Sequence, residues 1–307
     1  MVFRRVLVTG ANGLLGQAIV TRLSGLQNYD VLATGRDADP KFEGCSCGYI
    51  SLDITDTDSM HRIFVDFEPD VVVNCAAMTQ VDLCETRKSE CWKTNVDAVE
   101  SLVKLCRVHN TKLVHVSTDF IFDGKNGPYR ETDRPDPVNY YGKSKVASEN
   151  AVRSLPDNLW TIVRTVLVYG HARKLTRSNI ATWIISNLSE GKSINVVTDQ
   201  FRSPTYVEDL ARGIEKAIRY NKTGVYHISG RDQLSVYDFA LKIAEVLGYD
   251  ENLIHPVDAS SFSQTAARPP RTGFIILKAE TELGYRPMSF ELALTDLESR
   301  LNASVKA

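Results

Sequence analysis

The stretch RRVLVTGANGLLG, residues 4–16, constrains this chain more than any other. Val6 to Thr9 form a short β-rich run that ends at Gly10, and a helical apolar pattern through Ala18, Ile19 and Leu23 follows at once. Strand, glycine turn and helix in that order are what a dinucleotide site requires. One glycine permits the tight turn, one lets the backbone approach a pyrophosphate, and one lets the helix lie against the strand. The helix start then offers free N–H groups and a partial positive charge to the phosphates. The spacing, Gly10, Gly13 and Gly16, is G-x-x-G-x-x-G rather than the commoner G-x-G-x-x-G. The residues expected along the cofactor here are Gly10, Asn12, Gly13, Leu14, Leu15 and Gly16.

Further strands are expected at 30–36, 49–56, 70–77 and 112–119, with helical patterns at 59–67 and 90–108 between them. Alternating strands and helices imply parallel pairing through right-handed crossovers. A continuously apolar strand such as VVVNCAA implies cover on both faces. The expected fold is therefore α/β, a doubly wound parallel sheet of the Rossmann type, with ligands outside the carboxyl ends of its strands. Asp53 with Ile54, Ala76 with Ala77, and Thr118 stand at such ends.

The second strand ends in Thr34, Gly35 and Arg36, followed by Asp37. A carboxylate there accepts from the ribose 2′-hydroxyl of NAD, whereas an arginine accommodates the 2′-phosphate of NADP. Arg36 favours NADP, with NAD as the alternative.

Composition narrows the partners. With 307 residues and a net charge of −2, there is no global electrostatic case for nucleic acid or an anionic membrane. No apolar run approaches the roughly 20 residues of a spanning helix, and a cytoplasmic protein is the simplest reading. Six cysteines are too few for a disulfide scaffold at this length; Cys45 and Cys47 read as free thiols in a loop. No ligand cluster for a metal is evident.

NYYGKSK, residues 139–145, poses the question of chemistry. Only Tyr141 and Lys145 are four apart, and i, i+4 residues share a helix face. Pro135 and Pro137 suit an extended lead-in, so a helix starts near 138–141. An ammonium beside a phenol is expected to lower the phenol pKa, which would suit proton exchange with a substrate oxygen while hydride reaches carbon. Ser117 and Thr118 supply hydroxyls to hold that oxygen, and strand alternation allows only one to serve.

These features resemble the extended short-chain dehydrogenase/reductase family: the glycine turn, the NCAA strand end, Asn95 in TNVDA, a Ser/Thr before the tyrosine, and Y-x-x-x-K. The resemblance spans nearly the whole chain and implies a catalytic set of Thr118, Tyr141 and Lys145. It also implies that Lys145 and Tyr141 line the nicotinamide end of the cofactor, with Asn95 supporting the lysine through water. Within that family, VNCAAMTQVDLCE, VSTDFIFDGKNGPYRETDRPDPVNYYGKSK and DQFRSPTYVEDLA are similar to the dTDP-4-dehydrorhamnose reductases. Those proteins usually carry Tyr where Phe120 stands, and often Gly where Arg202 stands. The implied reaction is NADPH-dependent reduction of the 4-keto group of a dTDP-4-dehydro-6-deoxy sugar. Sugar-nucleotide dehydratases place Asp-Glu after the threonine; here Asp119-Phe120 lacks the second acid, and Phe120 can neither donate nor accept a proton. Epimerases use the same tyrosine and lysine but retain NAD, which Arg36 disfavours.

In the second half, 160–170 reads as one strand, 206–219 as an amphipathic helix and 224–230 as a returning strand. The resemblance implies a nucleotide domain of 1–170 with 205–230, and a substrate-binding lobe of 171–204 with 231–307. A nucleotide-diphosphate sugar needs cations, for which Arg202, Arg268 and Arg271 are candidates. From MTQVDLCE, taken as a loop, Val81 would border the sugar, with Phe120 also facing substrate and Asp82 and Glu85 nearer its support. His115 and Cys75 lie inside apolar strands and read as core residues. The resemblance leaves a homodimer open. A different class is also compatible: the non-catalytic regulatory beta subunit of methionine adenosyltransferase resembles these reductases and would share GANGLLG, PYRETD and YGKSK.

Overall fold

The computed structural model describes residues 3–262 and 264–305. Its first half alternates strand and helix: β1 (Arg4–Thr9), α1 (Leu14–Ser24), β2 (Tyr29–Gly35), β3 (Gly48–Ser51), α2 (Thr57–Phe67), β4 (Val71–Asn74), α3 (Val81–Thr86), α4 (Lys88–Trp92), α5 (Ala98–Val108), β5 (Lys112–Thr118), α6 (Tyr140–Val152) and β6 (Trp160–Thr165). These six strands and Gly224–His227 form one parallel sheet in the order β3-β2-β1-β4-β5-β6 and then Gly224–His227. The order reverses beside β1, so β1 and β4 flank the crevice where a doubly wound sheet takes its ligand.

Both sheet faces are covered, as the apolar strands require. One face packs on α1 and α8 (Val207–Arg219), which follows α7 (Ile180–Ser189) in the chain; the other packs on α2 and α5. A third core joins α7, α9 (Val236–Leu247), α11 (Phe290–Val305) and the parallel pair Ile194–Val197 and Ile254–Val257. Helix α10 (Leu277–Leu283) packs on the sheet side, with Phe274, Ile276 and Tyr285 in the sheet's own core.

Several expected elements differ in detail; the strands expected over 49–56, 70–77 and 224–230 end early, at Ser51, Asn74 and His227. The helix expected over 90–108 is interrupted by a π-helical turn at Lys93–Asp97, in which Asn95 is buried. MTQVDLCE, expected as a loop, contains α3. The single strand expected over 160–170 breaks after Thr165, where Leu167 takes φ +39°, and resumes only at Val168–Tyr169 to pair with Thr205–Tyr206. A left-handed leucine cannot continue a strand. Among the described residues no helix is long and apolar enough to cross a membrane, and none of the described His, Cys, Asp and Glu form a group that could hold a metal.

Candidate active site

The glycine turn sits at the crevice. Gly10 has φ +65°, and a Cβ there would lie 2.7 Å from the Ala76 nitrogen, so this glycine lets the β1 turn approach the end of β4. At Gly16 a Cβ would run into the Gly10 carbonyl, so only glycine lets α1 start this close. Helix α1 begins after Gly13 with no side-chain cap and no acid in its first turn. Its leading N–H groups, from Leu14 and Leu15 onward, thus remain available to an anion. Asn12 folds the rim of the site: its Nδ2 donates to Asp37 Oδ2 at 2.9 Å and to the Tyr49 hydroxyl at 3.1 Å, while its Oδ1 accepts from Lys41 N at 2.9 Å.

At the end of β2 the two candidate readers of the ribose differ. Asp37 is taken: Asn12 and Lys41 bind it and hold its carboxyl below the usual range. Arg36 is exposed, and its guanidinium has no ion pair among the described residues. This arrangement fits a 2′-phosphate better than a bare hydroxyl. Asp53 closes its own turn by accepting from Thr55 N and Oγ1, both at 2.9 Å, beside buried Ile54. Ala76 and Ala77 lie half-buried beyond β4. The glycine turn, Arg36, Asp53 and the half-buried Ala76 and Ala77 thus lie at the ends of neighbouring strands along one edge of the sheet.

Helix α6 carries the second half of the site. Asn139 caps it, Oδ1 accepting from Gly142 N at 2.8 Å, and Glu85 Oε1 accepts from Tyr140 N at 2.6 Å. A Cβ at Gly142 would run into the Phe120 carbonyl, so the helix start presses directly on the chain leaving β5. That contact brings Tyr141 near Thr118, whose hydroxyl acts to lower the phenol pKa. Thr118 Oγ1 is itself oriented, donating to Asp119 Oδ1 at 3.1 Å and accepting from Phe120 N at 3.2 Å. Of the two hydroxyls offered by β5, Thr118 therefore faces the tyrosine; Ser117 is buried on the other side of the strand.

Lys145 lies one turn along, buried, with Nζ donating to Val116 O at 2.8 Å and 3.1 Å from His115 Nε2. The expected lowering of the Tyr141 pKa is not what the structure shows. Burial lifts the phenol well above its ordinary 10, the Thr118 hydroxyl only partly opposes the rise, and Asp119 adds to it. The lysine ammonium points at β5 instead. Burial also pulls the lysine itself down to about 8, against the opposing pull of Glu149.

Asn95 makes no direct hydrogen bond with Lys145 among the described residues. Its amide is bonded elsewhere: Oδ1 accepts from Met78 N at 2.8 Å, and Nδ2 donates to Met78 O at 3.1 Å and to Ser144 Oγ at 3.0 Å. It ties the segment after β4 to α6 and thereby helps locate the lysine's helix.

Val81 and Phe120 share an apolar cluster with Tyr141, Cys84 and Cys91; the Phe120 ring centroid is 6.1 Å from that of Tyr141. The Arg202 guanidinium lies over Phe120 at 5.6 Å but is buried, donating to Phe201 O and Pro270 O and facing Asp119 at 3.9 Å. Arg268 is clamped by both oxygens of Asp82, at 2.7 and 2.5 Å, and also donates to Ala266 O. Both arginines thus turn their donors inward. Arg271, stacked 4.5 Å over Phe201, belongs to an exposed residue. The partner that clamps Arg268 is 186 residues away in the sequence, and no local pattern connects the two.

A family model described as the RmlD substrate binding domain matches residues 4–302. Among curated relatives, the probable low-salt glycan biosynthesis reductase Agl14 of Haloferax volcanii is 34% identical over 95% of this chain and 96% of its own length. The methionine adenosyltransferase 2 subunit beta of Pongo abelii is 35% identical over 91% of this chain and 82% of its own. The crystal structure of dTDP-4-dehydrorhamnose reductase from Bacillus anthracis, in complex with NADP, superposes with a TM-score of 0.84 at 31% identity, covering 97% of this chain and 99% of that one. A dinucleotide-type crevice, a Thr-Tyr-Lys set at its mouth and a match along almost the full chain converge on one conclusion: the protein belongs to the RmlD substrate binding domain family of extended short-chain dehydrogenase/reductases.

Proposed function

We propose that the protein reduces the 4-keto group of a dTDP-4-dehydro-6-deoxy sugar, converting dTDP-4-dehydrorhamnose to dTDP-L-rhamnose with NADPH. The observation that carries this reading is the buried Tyr141 phenol, near the Thr118 hydroxyl at the end of β5, with Lys145 one turn along the same helix. Bound NADPH would supply the hydride, held by Gly10, Asn12, Gly13, Leu14, Leu15, Gly16, Arg36, Asp53, Ile54, Ala76 and Ala77, with Tyr141 and Lys145 at its nicotinamide end and Asn95 fixing that end's helix.

The chain's own residues then manage the proton. Because burial raises the Tyr141 pKa, the phenol carries its proton near neutral pH and is in the donor state that a carbonyl reduction demands. Thr118, near the phenol, can hold the same substrate oxygen. Phe120 and Val81 present an apolar wall beside Tyr141 that keeps water from competing for that proton. In this reading the sheet domain of 1–170 with 205–230 holds the cofactor and the remainder forms the substrate lobe. Arg271 is the exposed cation, while Arg202 and Arg268 reach a pyrophosphate only by giving up partners they hold here.

The 35% identity to the methionine adenosyltransferase beta subunit supports a second reading, a non-catalytic partner of a synthetase. One assay separates the two: loss of NADPH absorbance with dTDP-4-dehydrorhamnose, run in parallel with NADH. The reductase reading expects turnover, faster with NADPH, abolished in Tyr141→Phe while cofactor binding persists. Absence of turnover, with co-purification of a synthetase, selects the binding role.

A further inference from the structure

His115, read from sequence as a core residue, is wired to the lysine of the site. Thr9, Asn74 and His115 are in-register neighbours across β1, β4 and β5. Their side chains join in a row: Thr9 Oγ1 to Asn74 Oδ1 at 2.6 Å, and Asn74 Nδ2 to His115 Nδ1 at 3.2 Å. On the far side His115 pairs in register with Ile162, so the row cannot continue along the sheet. The ring turns to α6 instead, with Nε2 3.1 Å from Ser148 Oγ and 3.1 Å from Lys145 Nζ. All five side chains are buried, so a mismatched donor or acceptor anywhere in the row leaves a polar group stripped of water with nothing in its place.

We propose that His115 is a positioning residue for Lys145, its tautomer being coupled to the charge on that lysine. An ammonium needs an acceptor at Nε2, which requires the proton on Nδ1 and the Asn74 oxygen turned toward it. A neutral amine offers a lone pair, which takes the Nε2–H tautomer, with Asn74 Nδ2 donating to Nδ1. The Thr9 hydroxyl donates or accepts and so serves both amide orientations. Ser148 Oγ donates to the Lys145 carbonyl at 2.9 Å and accepts from Nε2–H in the second state. The change from ammonium to amine releases one proton to solvent, while the imidazole carries one proton in both states and stays neutral, because burial and Lys145 both hold its pKa well below the ordinary value. The groups facing Lys145 from other elements are Cys75 after β4, Cys91 on α4 and His115 on β5, with Glu149 on its own helix. Burial pushes Cys75 up to about 12, and it stays a thiol. The neighbouring Cys84 thiol, then Ser144 and Lys145, draw Cys91 below its ordinary value, so its titration must be separated from the lysine's. The consequence for turnover rests on the proposed reductase function; the coupling of tautomer to charge does not.

The test is the imidazole 15N spectrum of the full-length protein labelled at its six histidines, followed from about pH 6 to 10 across the lysine's titration. His227 is the internal reference. Its Nδ1 faces the Tyr129 carbonyl at 3.1 Å and its Nε2 faces the Arg164 guanidinium, so it stays Nδ1–H throughout. The His115 signals are expected to exchange Nδ1–H for Nε2–H near the lysine's pKa of about 8, to do so still in Cys91→Ser, and to remain in one tautomer in Lys145→Met. One unchanging His115 tautomer in the wild-type protein, or an exchange that survives Lys145→Met, overturns the proposal. In turnover, His115→Phe is expected to bring the basic limb of kcat/KM down by about one pH unit, and His115→Gln, whose amide can offer either group, to restore it. A protein without reductase activity that still shows the tautomer exchange would defeat the functional reading and leave this one standing.

Discussion

Lys145 illustrates how a buried ammonium costs stability. Its folded pKa of about 8 lies below the 10.5 of an exposed lysine, so the native state disfavours the ammonium. The penalty is present in full below pH 8, fades as pH rises toward 10.5 and is absent above; its size is on the order of 3 kcal/mol. Lys145→Met should therefore raise the free energy of urea unfolding at pH 7 by about 1–2 kcal/mol, after losing its two hydrogen bonds, with the gain shrinking by about pH 10. An unchanged or lowered stability at pH 7 would contradict the burial argument. Arg36 carries a different prediction: Arg36→Ala should weaken NADPH use about tenfold in kcat/KM while leaving NADH within a few-fold, since only the 2′-phosphate is charged at that point. That Tyr141 and Lys145 stand one turn apart on the same helix was legible from spacing alone. The direction of the phenol's shift was not, because it depends on how deeply Tyr141 is buried and where the lysine turns.

At the scale of elements, α6 is the part whose placement matters most. It is capped by Asn139, backed by Glu85 and tied to β6 by Arg164, whose Nε and Nη2 contact the two oxygens of buried Glu149 at 2.9 and 2.8 Å. Gly142→Ala drives a methyl into the Phe120 carbonyl, so the helix start must retreat from β5 and carry Tyr141 with it. The expected result is a fall in kcat of about a hundredfold, as a displacement near 1 Å can cause, with cofactor affinity little changed. Arg164→Met leaves Glu149 buried between Arg153 and apolar neighbours and should cost about 3–5 kcal/mol in denaturant unfolding. Sequence periodicity found the strands and most helices of the sheet domain to within a few residues, since apolar repeat and glycine punctuation are local signals. It missed the π-turn at Asn95 and the break at Leu167, which go with contacts to Met78, Ser144 and the Thr205–Tyr206 strand.

Across the whole molecule, a few polar ties hold residues 266–272 against the sheet domain. Asp82 on α3 clamps Arg268 and accepts from Ala266 N, Asn139 Nδ2 donates to Ala267 O at 2.8 Å, and the Thr272 hydroxyl donates to buried Asp119. Arg268 holds the Asp82 carboxyl down at about 2, so this tie persists through the physiological range and weakens only in acid, as pH falls toward that value. Asp82→Asn should speed amide hydrogen exchange over residues 264–275 and raise the KM for nucleotide sugar several-fold, while exchange in β1, β4 and β5 stays unchanged. Uniform acceleration across the sheet would show that the tie is not local.

The amino-acid sequence by itself determined the doubly wound sheet, the glycine turn after its first strand and the one-turn spacing of Tyr141 and Lys145, because each is written in short-range spacing. Only the tertiary structure decided that Arg268 is clamped by Asp82, that Asp37 is held by Lys41 and Asn12 while Arg36 has no ion pair among the described residues, and that His115 faces Lys145. The physical reason is that burial and hydrogen-bond partnership depend on which distant segments the fold brings together, and no local pattern records them.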